Sequence, residues 1–404
     1  MFRTFNAFII MVFLSIFLFN ACSAPKASRK RQGEMDNPAF HSLRGDDHLF
    51  ALDYQKAALA YQRALDLNPD FSPALSGLAV TQAHEISVQA NNSPLEEQIE
   101  TIEDLLELAR ESSKNVKNRI RARSYAVQAY WEMRQQDEDW YEKAGVQFEE
   151  ATEMDPQDPM PYFFMARAES ARFNYSASAS NYNQVLNIGR KYAKQANQEL
   201  EIVQKIQRAQ PGSPFGKTVA WVPEISKADV SALFIAELRL ERMFEARNQE
   251  ENKGFEAPKQ QQNFKPQLSK GQMAAMDIEG HPMQNVIEDI LKIGIKGLET
   301  DPTGRFYPNH QITRAEFALM LQDVLVQVTR DQSIETRYIG ESSPFPDVRP
   351  DLYYYNAARV VVSRNLMPVA DKASGKFKPK DPVRGADALL VIRDLKDMLS
   401  RYVR

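Results

Sequence analysis

Six residues near the C-terminal end recur at fixed mutual spacing: Gly304, Phe306, Pro308, Ile312, Ala315 and Glu316 are matched by Gly375, Phe377, Pro379, Val383, Ala386 and Asp387. Such a repeat constrains the fold strongly, because each copy has an apolar face it cannot bury alone and must stack on its neighbours. Each copy reads as helix, long turn, helix. In the stretch Asp277 to Leu325, Val286, Ile287, Ile290, Leu291 and Ile293 recur at helical spacing, while Gly294, Gly297 and Asp301-Pro302-Thr303-Gly304 end that helix and turn the chain. A second helix is predicted from Thr313, with Glu316 three residues on in the pattern of a capping box; Phe317, Leu319, Met320, Leu321, Val324 and Leu325 form its buried stripe. Asp277-Ile278 leads this copy as Phe345-Pro346-Asp347-Val348 leads the apolar run Ala357 to Val362 in the next. A degenerate earlier copy starts at Ile225-Ser226-Lys227-Ala228-Asp229 and continues through Val230, Leu233, Phe234, Ile235 and Leu238. Three units are thus expected, over about 210–245, 276–330 and 344–400.

The order Asp-Ile-x-Gly-His, apolar helix, Gly-Ile, Gly-x-Phe-x-Pro-Asn and Ile-Thr-Arg-Ala-Glu-Phe resembles the S-layer homology motif, and the resemblance covers about Trp221 to Arg404. It departs after His281, where the family usually places Trp and this chain has Pro282 and Met283. The resemblance implies a pseudo-trimeric helical bundle with grooves between its units. It also implies binding of cell-wall carbohydrate, often pyruvylated, through the basic residue of the Thr-Arg-Ala-Glu motif. Carried onto this chain, that residue is Arg314 in the second unit and Lys227 in the first. In the third, Gly385 stands where the Arg is expected and Arg384 one position earlier, in place of Thr; its helix can start instead from Asp381, with Pro382 at the first position. Asp277 and Asp347 match the family's leading Asp and join the candidate ligand set, although helix capping or loop ordering suits them equally. Thr313, Glu316 and Ser226 are the candidate caps. A guanidinium beside a helix N-terminus offers charge-assisted donors and free backbone N–H groups to a carboxylate. The plainer alternative is that Arg314 solvates the helix start, but a cation there opposes the macrodipole. On the ligand reading, Arg314→Ala leaves folding nearly untouched.

The preceding half, about 38–209, is nearly all helix pattern. Tyr54, Ala57, Tyr61, Ala64 and Pro69 are matched at identical spacing by Tyr141, Ala144, Phe148, Ala151 and Pro156, and more weakly by Tyr175, Ser178 and Tyr182. These residues resemble the second helix of a tetratricopeptide repeat, in which small Ala lets helices approach, an aromatic fills the groove and Pro ends the helix. Ser93 to Gln136 reads as a divergent repeat. The resemblance implies a helical solenoid whose concave surface holds a protein partner; the alternative is a spacer. Tyr125, Tyr130, Trp131, Tyr162, Phe163, Phe164 and Phe173 are expected mostly in the core, and Arg119, Arg121, Arg123 and Arg134 on a charged face. The last helix, Glu199 to Ala209, can double as the leading helix of the first S-layer-like unit.

Residues 1–21 carry Arg3 and an apolar run from Ala7 to Phe19, the pattern of a secretory signal. The one cysteine, Cys22, follows Ala21 in a context that resembles a bacterial lipoprotein box, which implies diacylglyceryl modification and a stable anchor. Residues 22–37 read as a tether with a basic cluster, Lys26, Arg29, Lys30 and Arg31, that suits anionic lipid or plain solvation. Residues 246–275, rich in Gln, Asn, Lys and Glu, read as a mobile insert. A formal net charge of −4 argues against nucleic acid as partner.

The five histidines fall at no metal-ligand spacing, and there is neither a Gly-x-Ser-x-Gly nor a phosphate-binding loop. No cofactor, metal or catalytic residue is assigned. The whole reads as an all-α protein, a tetratricopeptide-like helical solenoid (38–209) followed by an S-layer-homology-like bundle (210–404). It is expected to be a non-enzymatic lipoprotein of the cell envelope, anchored through Cys22 to a membrane, the outer membrane being favoured, and facing periplasm or surface. Its bundle is expected to bind cell-wall polysaccharide or peptidoglycan. The alternative is a periplasmic assembly scaffold whose S-layer-like units are only structural.

Overall fold

The computed structural model describes residues 33–88, 95–189, 191–244 and 275–402. The expected signal peptide, Cys22 with most of the tether, and all but the last residue of the insert 246–275 lie outside them. The described chain is all-α, with only isolated β-bridges between extended residues. It divides into two compact units, Met1–Asn197 and Gln198–Arg404, and the division falls inside a helix, ahead of the Ala209 boundary expected from sequence.

The first unit stacks helices in pairs: α1 (Pro38–Phe50) with α2 (Tyr54–Leu67), α3 (Ser72–Val88) with α4 (Leu95–Glu111), α5 (Val116–Glu132) with α6 (Trp140–Met154), and α7 (Pro159–Ala171) with α8 (Tyr175–Ile188). The first helix of each pair also packs on the first helix of the next, which makes a solenoid. The repeated small and aromatic residues explain the close approach. Ala57 and Ala64 are fully buried, and so is the Tyr61 ring between them. That ring wedges against Gly45 of α1 and Gly77 of α3, where an added Cβ would meet it at 2.4 and 2.3 Å.

Behind Tyr61 lies a polar cluster that the charged-face expectation missed. Arg121 folds inward and forms a two-point pair with the buried Asp46, which also accepts from Tyr61 Oη at 2.8 Å and Tyr125 Oη at 3.0 Å. Burial works to raise the Asp46 carboxyl, but the charge and donors of Arg121 outweigh it and hold the carboxyl below its ordinary value. Of the aromatics expected in the core, Tyr125, Tyr130, Phe163 and Phe164 are buried, Trp131 and Tyr162 half-buried, and Phe173 exposed.

Helix α9 (Ala193–Ala209) contains the division between the units, and its second part buries Leu200, Val203, Ile206 and Ala209. The second unit continues with α10 (Pro214–Val219), α11 (Lys227–Ala232) followed by a π turn (Leu233–Glu237), α12 (Gln284–Ile293), α13 (Arg314–Thr329), α14 (Tyr355–Ser363) and α15 (Gly385–Leu399). Helices α9, α12 and α14 each run into a residue with left-handed backbone, Gln210, Gly294 and Asn365, which gives the three units one shape at the end of their leading helix.

Within the second unit, the three repeats close around a ring of backbone hydrogen bonds. Ile225 N donates to Val383 O, Ile312 N to Ile225 O, and Val383 N to Ile312 O, at 2.9, 2.9 and 3.0 Å. All three side chains are buried, at 0, 1 and 4 % exposure. Equivalent residues bonding head to tail around a centre is what a pseudo-threefold axis requires. It also places the start of each second helix against the loop of the next unit.

Candidate functional site

The expected caps sit at the helix starts. Thr313 Oγ1 accepts from Glu316 N while Glu316 Oε2 accepts from Thr313 N at 2.8 Å, and Ser226 and Asp229 do the same at α11. Burial works to raise the Glu316 carboxyl, but its bonds from Thr313 and His310 outweigh that and lower it. The third start differs. Helix α15 begins at Gly385 with Arg384 at the cap position and no side-chain cap, not at Pro382, because Pro382 lies in extended backbone paired with Thr313.

The expectation of free N–H groups for an anion fails at these starts. Arg314 N donates to Asp381 O at 2.9 Å, Ala315 N to Pro379 O at 3.0 Å and Glu316 N to its cap; Lys227 N and Ala228 N donate likewise to His310 O and Pro308 O at 2.8 and 2.9 Å. The carbonyls come from the loop of the next unit, so closing the bundle satisfies the donors a helix start normally leaves open. Anion recognition here falls to side chains alone.

Asp277 and Asp347 order loops. Asp277 accepts from Phe306 N and Tyr307 N, both at 2.7 Å, and Asp347 from Phe377 N and Lys378 N at 2.9 and 2.7 Å. Tyr307 and Lys378 hold φ of 57° and 54°, so each Asp clamps a left-handed residue that would otherwise be strained. Burial pushes the Asp277 carboxyl up, and the two N–H bonds bring it below its usual value.

Lys227 and Arg314 occupy one geometry twice. Lys227 Nζ sits 4.4 Å from the centre of the Phe306 ring and donates to Glu299 O at 2.8 Å. The Arg314 guanidinium sits 4.8 Å from the centre of the Phe377 ring; Nε donates to Phe377 O at 2.8 Å and Nη2 to Pro368 O at 2.7 Å. Both are half-buried, and burial lowers the pKa of each. Among the described residues neither forms an ion pair: each cation faces a ring and carbonyls with no carboxylate at pairing distance.

At the third interface the equivalent position is Gly385, whose N donates to Val222 O at 2.9 Å. A Cβ there would lie 1.7 Å from Val219 O, so the backbone of α10 fills the space that a cation and a Phe ring hold at the other two. Arg384 is exposed at the cap position. Asp387, the third-residue acid with no cap hydroxyl to close on, pairs with Lys205 of α9 at 2.7 Å, and Lys205 is paired with Glu201 as well.

Two cavities flank Lys227. The outer, about 730 Å³, is bounded by Lys227, Asp277, Phe306, Tyr307, Asn309 and His310. The inner, about 240 Å³, is lined by Ile312, Leu319 and Met320 together with Lys227, Lys296 and His310. Sequence reasoning missed Lys296, His310 and Tyr307, because the turns that carry them meet Lys227 only through the ring closure. It also missed Asp323, whose buried carboxylate accepts from Lys296 N at 3.0 Å and so fixes the turn after α12.

In the first unit, Tyr192 packs against aromatic residues of α1 and α7. Its ring stacks on Phe163 at 4.8 Å and approaches Phe164 and Phe50 at 5.9 and 6.2 Å, leaving a cavity of about 40 Å³. Among the described residues no group of three or more His, Cys, Asp or Glu could hold a metal ion, and no helix is long and apolar enough to cross a membrane.

No curated protein and no solved structure matches the chain. Residues 298–318 match the S-layer homology domain family. That segment holds the Gly304, Phe306 and Pro308 loop together with Thr313 and Arg314, and over it the chain is similar to domains that associate with the cell envelope and generally bind cell-wall polymers.

Proposed function

We propose that this chain is a non-enzymatic cell-envelope protein whose bundle binds an anionic cell-wall glycan at two of its three interfaces, through Lys227 and Arg314. The observation that carries this reading is the repeated, half-buried cation without a counter-ion. A buried charge is normally paired, because desolvation is costly. A ligand carboxylate would supply the missing partner, and Arg314 gives only two of its five N–H donors to carbonyls, so donors remain for it. The third interface takes no ligand: the Val219 backbone occupies the space beside Gly385, and Lys205 already has two carboxylates.

Sedimentation of the purified chain with wall sacculi tests this. Loss of one charge-assisted contact costs about 1.5 to 3 kcal/mol, roughly ten- to a hundredfold in affinity. Lys227→Ala and Arg314→Ala should each weaken binding and the double variant should abolish it, whereas Arg384→Ala should bind as the parent does. Full binding by the double variant would remove the proposal.

Cys22 carries the lipid anchor, to be checked by mass spectrometry of the N-terminal peptide, where an unmodified Cys22 in the mature chain would refute it. A protein partner binds the helical repeats.

A further inference from the structure

The first unit exposes large apolar side chains along one edge. Each of its four helix pairs turns at the far end of its leading helix, and those ends are tied together. Tyr54 Oη at the start of α2 donates to Glu132 Oε1 at the end of α5 at 3.1 Å, His84 Nδ1 of α3 lies 3.2 Å from Glu132 Oε2, and the Arg167 guanidinium of α7 lies 5.8 Å from the centre of the Trp131 ring. The four turns therefore share an edge, and on it Phe50, Leu52, Val88, Leu95 and Phe173 are exposed. Leu52 and Phe173 break a local rule in the same way. Both hold left-handed backbone, with φ of 60° and 62°. They close α1 and α7 with the same two bonds: Leu52 N donates to Leu49 O and Asp53 N to His48 O, as Phe173 N does to Ser170 O and Asn174 N to Glu169 O. Glycine is the usual residue at that position, because a side chain there is strained. This chain instead places there a leucine 63 % exposed and a phenylalanine 43 % exposed. Each costs backbone strain and presents apolar surface to the outside, the combination that marks a contact surface.

We infer that this edge docks on the bilayer surface to which Cys22 holds the chain, with its turn residues inserted among the lipid headgroups. The inference rests on the reading that Cys22 carries a lipid. The described fold begins at Gly33, eleven residues after Cys22, a span of at most about 40 Å. Helix α1 has 13 residues and is about 20 Å long, so its far end comes within reach of the surface. A bilayer suits the edge better than a protein does. The apolar groups protrude singly from successive turns, which a fluid headgroup layer accepts without a matching shape, whereas a protein partner would have to offer a complementary surface to each. Trp131, half-buried between Arg134 and Arg167, supplies the amphipathic ring favoured at such an interface. Exposed charges of both signs stand at the turns, Arg172 and Lys191 against Glu138 and Asp139, so the attraction is apolar and needs no anionic lipid.

The test couples the mature chain, Cys22 to Arg404, through its one cysteine to maleimide-bearing phosphatidylethanolamine in phosphatidylcholine vesicles. The vesicles are made with and without dibrominated phosphatidylcholine, which quenches any tryptophan that reaches it. Phe173→Trp puts a reporter on the apolar edge, and Val116→Trp puts one at the exposed start of α5, on the opposite edge. Read against the parent, whose three tryptophans set the background, the Phe173→Trp reporter should lose emission on the brominated vesicles and the Val116→Trp reporter should keep it. If Phe173→Trp loses its helical circular dichroism, Leu52→Trp is read in its place. Adding Leu52→Gly to the Phe173→Trp protein removes one inserted group and relaxes its backbone, so quenching should fall while the melting temperature does not. Equal emission of the edge reporter on both kinds of vesicle, equal quenching of the two reporters, or quenching unchanged by Leu52→Gly overturns the inference. Because the coupling is chemical, these results do not depend on whether the cell lipidates Cys22, which mass spectrometry decides separately.

Discussion

Replacing Arg314 separates a binding group from a structural latch. The sequence reading made Arg314→Ala silent in folding; the geometry does not. Two charge-assisted bonds join the start of α13 to Phe377 O and Pro368 O in the loops of the third unit, and the guanidinium covers the Phe377 ring. Gross loss of two such bonds is about 3 to 6 kcal/mol, and of an exposed ring contact about 0.5 to 1 kcal/mol. Most of this is offset, because the Pro368 contact is open to solvent and truncation also relieves the desolvation of a half-buried cation, so a net destabilisation of about 2 kcal/mol is expected. For a unit of this size that is a fall in Tm of about 4 to 8 °C. Arg314→Lys has its template in Lys227, which keeps the ring and one carbonyl, and should lose about half as much. Scanning calorimetry of the full chain, following the transition of the bundle, measures all three proteins. A Tm for Arg314→Ala within about 1 °C of the parent would show that the latch contributes nothing and that the argument from these bonds is wrong.

Gly385→Ala should destabilise the bundle by about 3 kcal/mol in urea denaturation, because the new Cβ meets the rigid backbone of Val219 at 1.7 Å; an unchanged midpoint would refute the close approach. Thr313→Ala should cost about 1 kcal/mol and Arg384→Ser should gain about 0.5 to 1 kcal/mol, the latter by giving Asp387 the cap partner that Asp229 has in Ser226; a loss of stability with Arg384→Ser would mean that the Lys205 pair outweighs the cap. Because the folded pKa of Glu316 is depressed from 4.5, its stabilising effect is present above pH 4.5 and lost as pH falls through the lower folded value. Thermal melts of Glu316→Gln should therefore lie below the parent at neutral pH and converge with it in acid, and parallel curves would refute that assignment.

What could be read from the sequence was what one unit specifies by itself. The Thr313 to Glu316 spacing defines a capping box regardless of neighbours, and Gly304, Phe306 and Pro308 define a loop that recurs at Gly375, Phe377 and Pro379. What could not be read depends on ring closure. The carbonyls that occupy the helix-start donors belong to another unit, so Arg314 looked like a group beside open N–H donors when none is open. Arg121 looked like surface because its counter-ion, Asp46, is on a helix distant in sequence. Asp277 and Asp347 can be matched to each other from sequence, but their partners, two N–H groups each, one of them from a left-handed residue, appear only when the loop is folded.

The degeneracy of the first unit and the slipped motif of the third are two halves of one adaptation. The first unit has no Gly-x-Phe-x-Pro loop to offer the third. In its place α10 begins at a turn held by Glu237, whose buried carboxylate accepts from Gly212 N and Ser213 N at 3.0 and 2.9 Å, as Asp323 holds the turn after α12. That brings the Val219 carbonyl where a Phe ring would otherwise lie. A basic side chain at position 385 would then have neither a ring to cover nor space to enter, and glycine is the residue that lets Gly385 N reach Val222 O. With Arg384 displaced to the cap and unable to accept a hydrogen bond there, Asp387 pairs with Lys205 instead. The bundle thus closes its third interface with backbone and an internal ion pair, and keeps a half-buried cation over a Phe ring at the two interfaces that retain the aromatic loop.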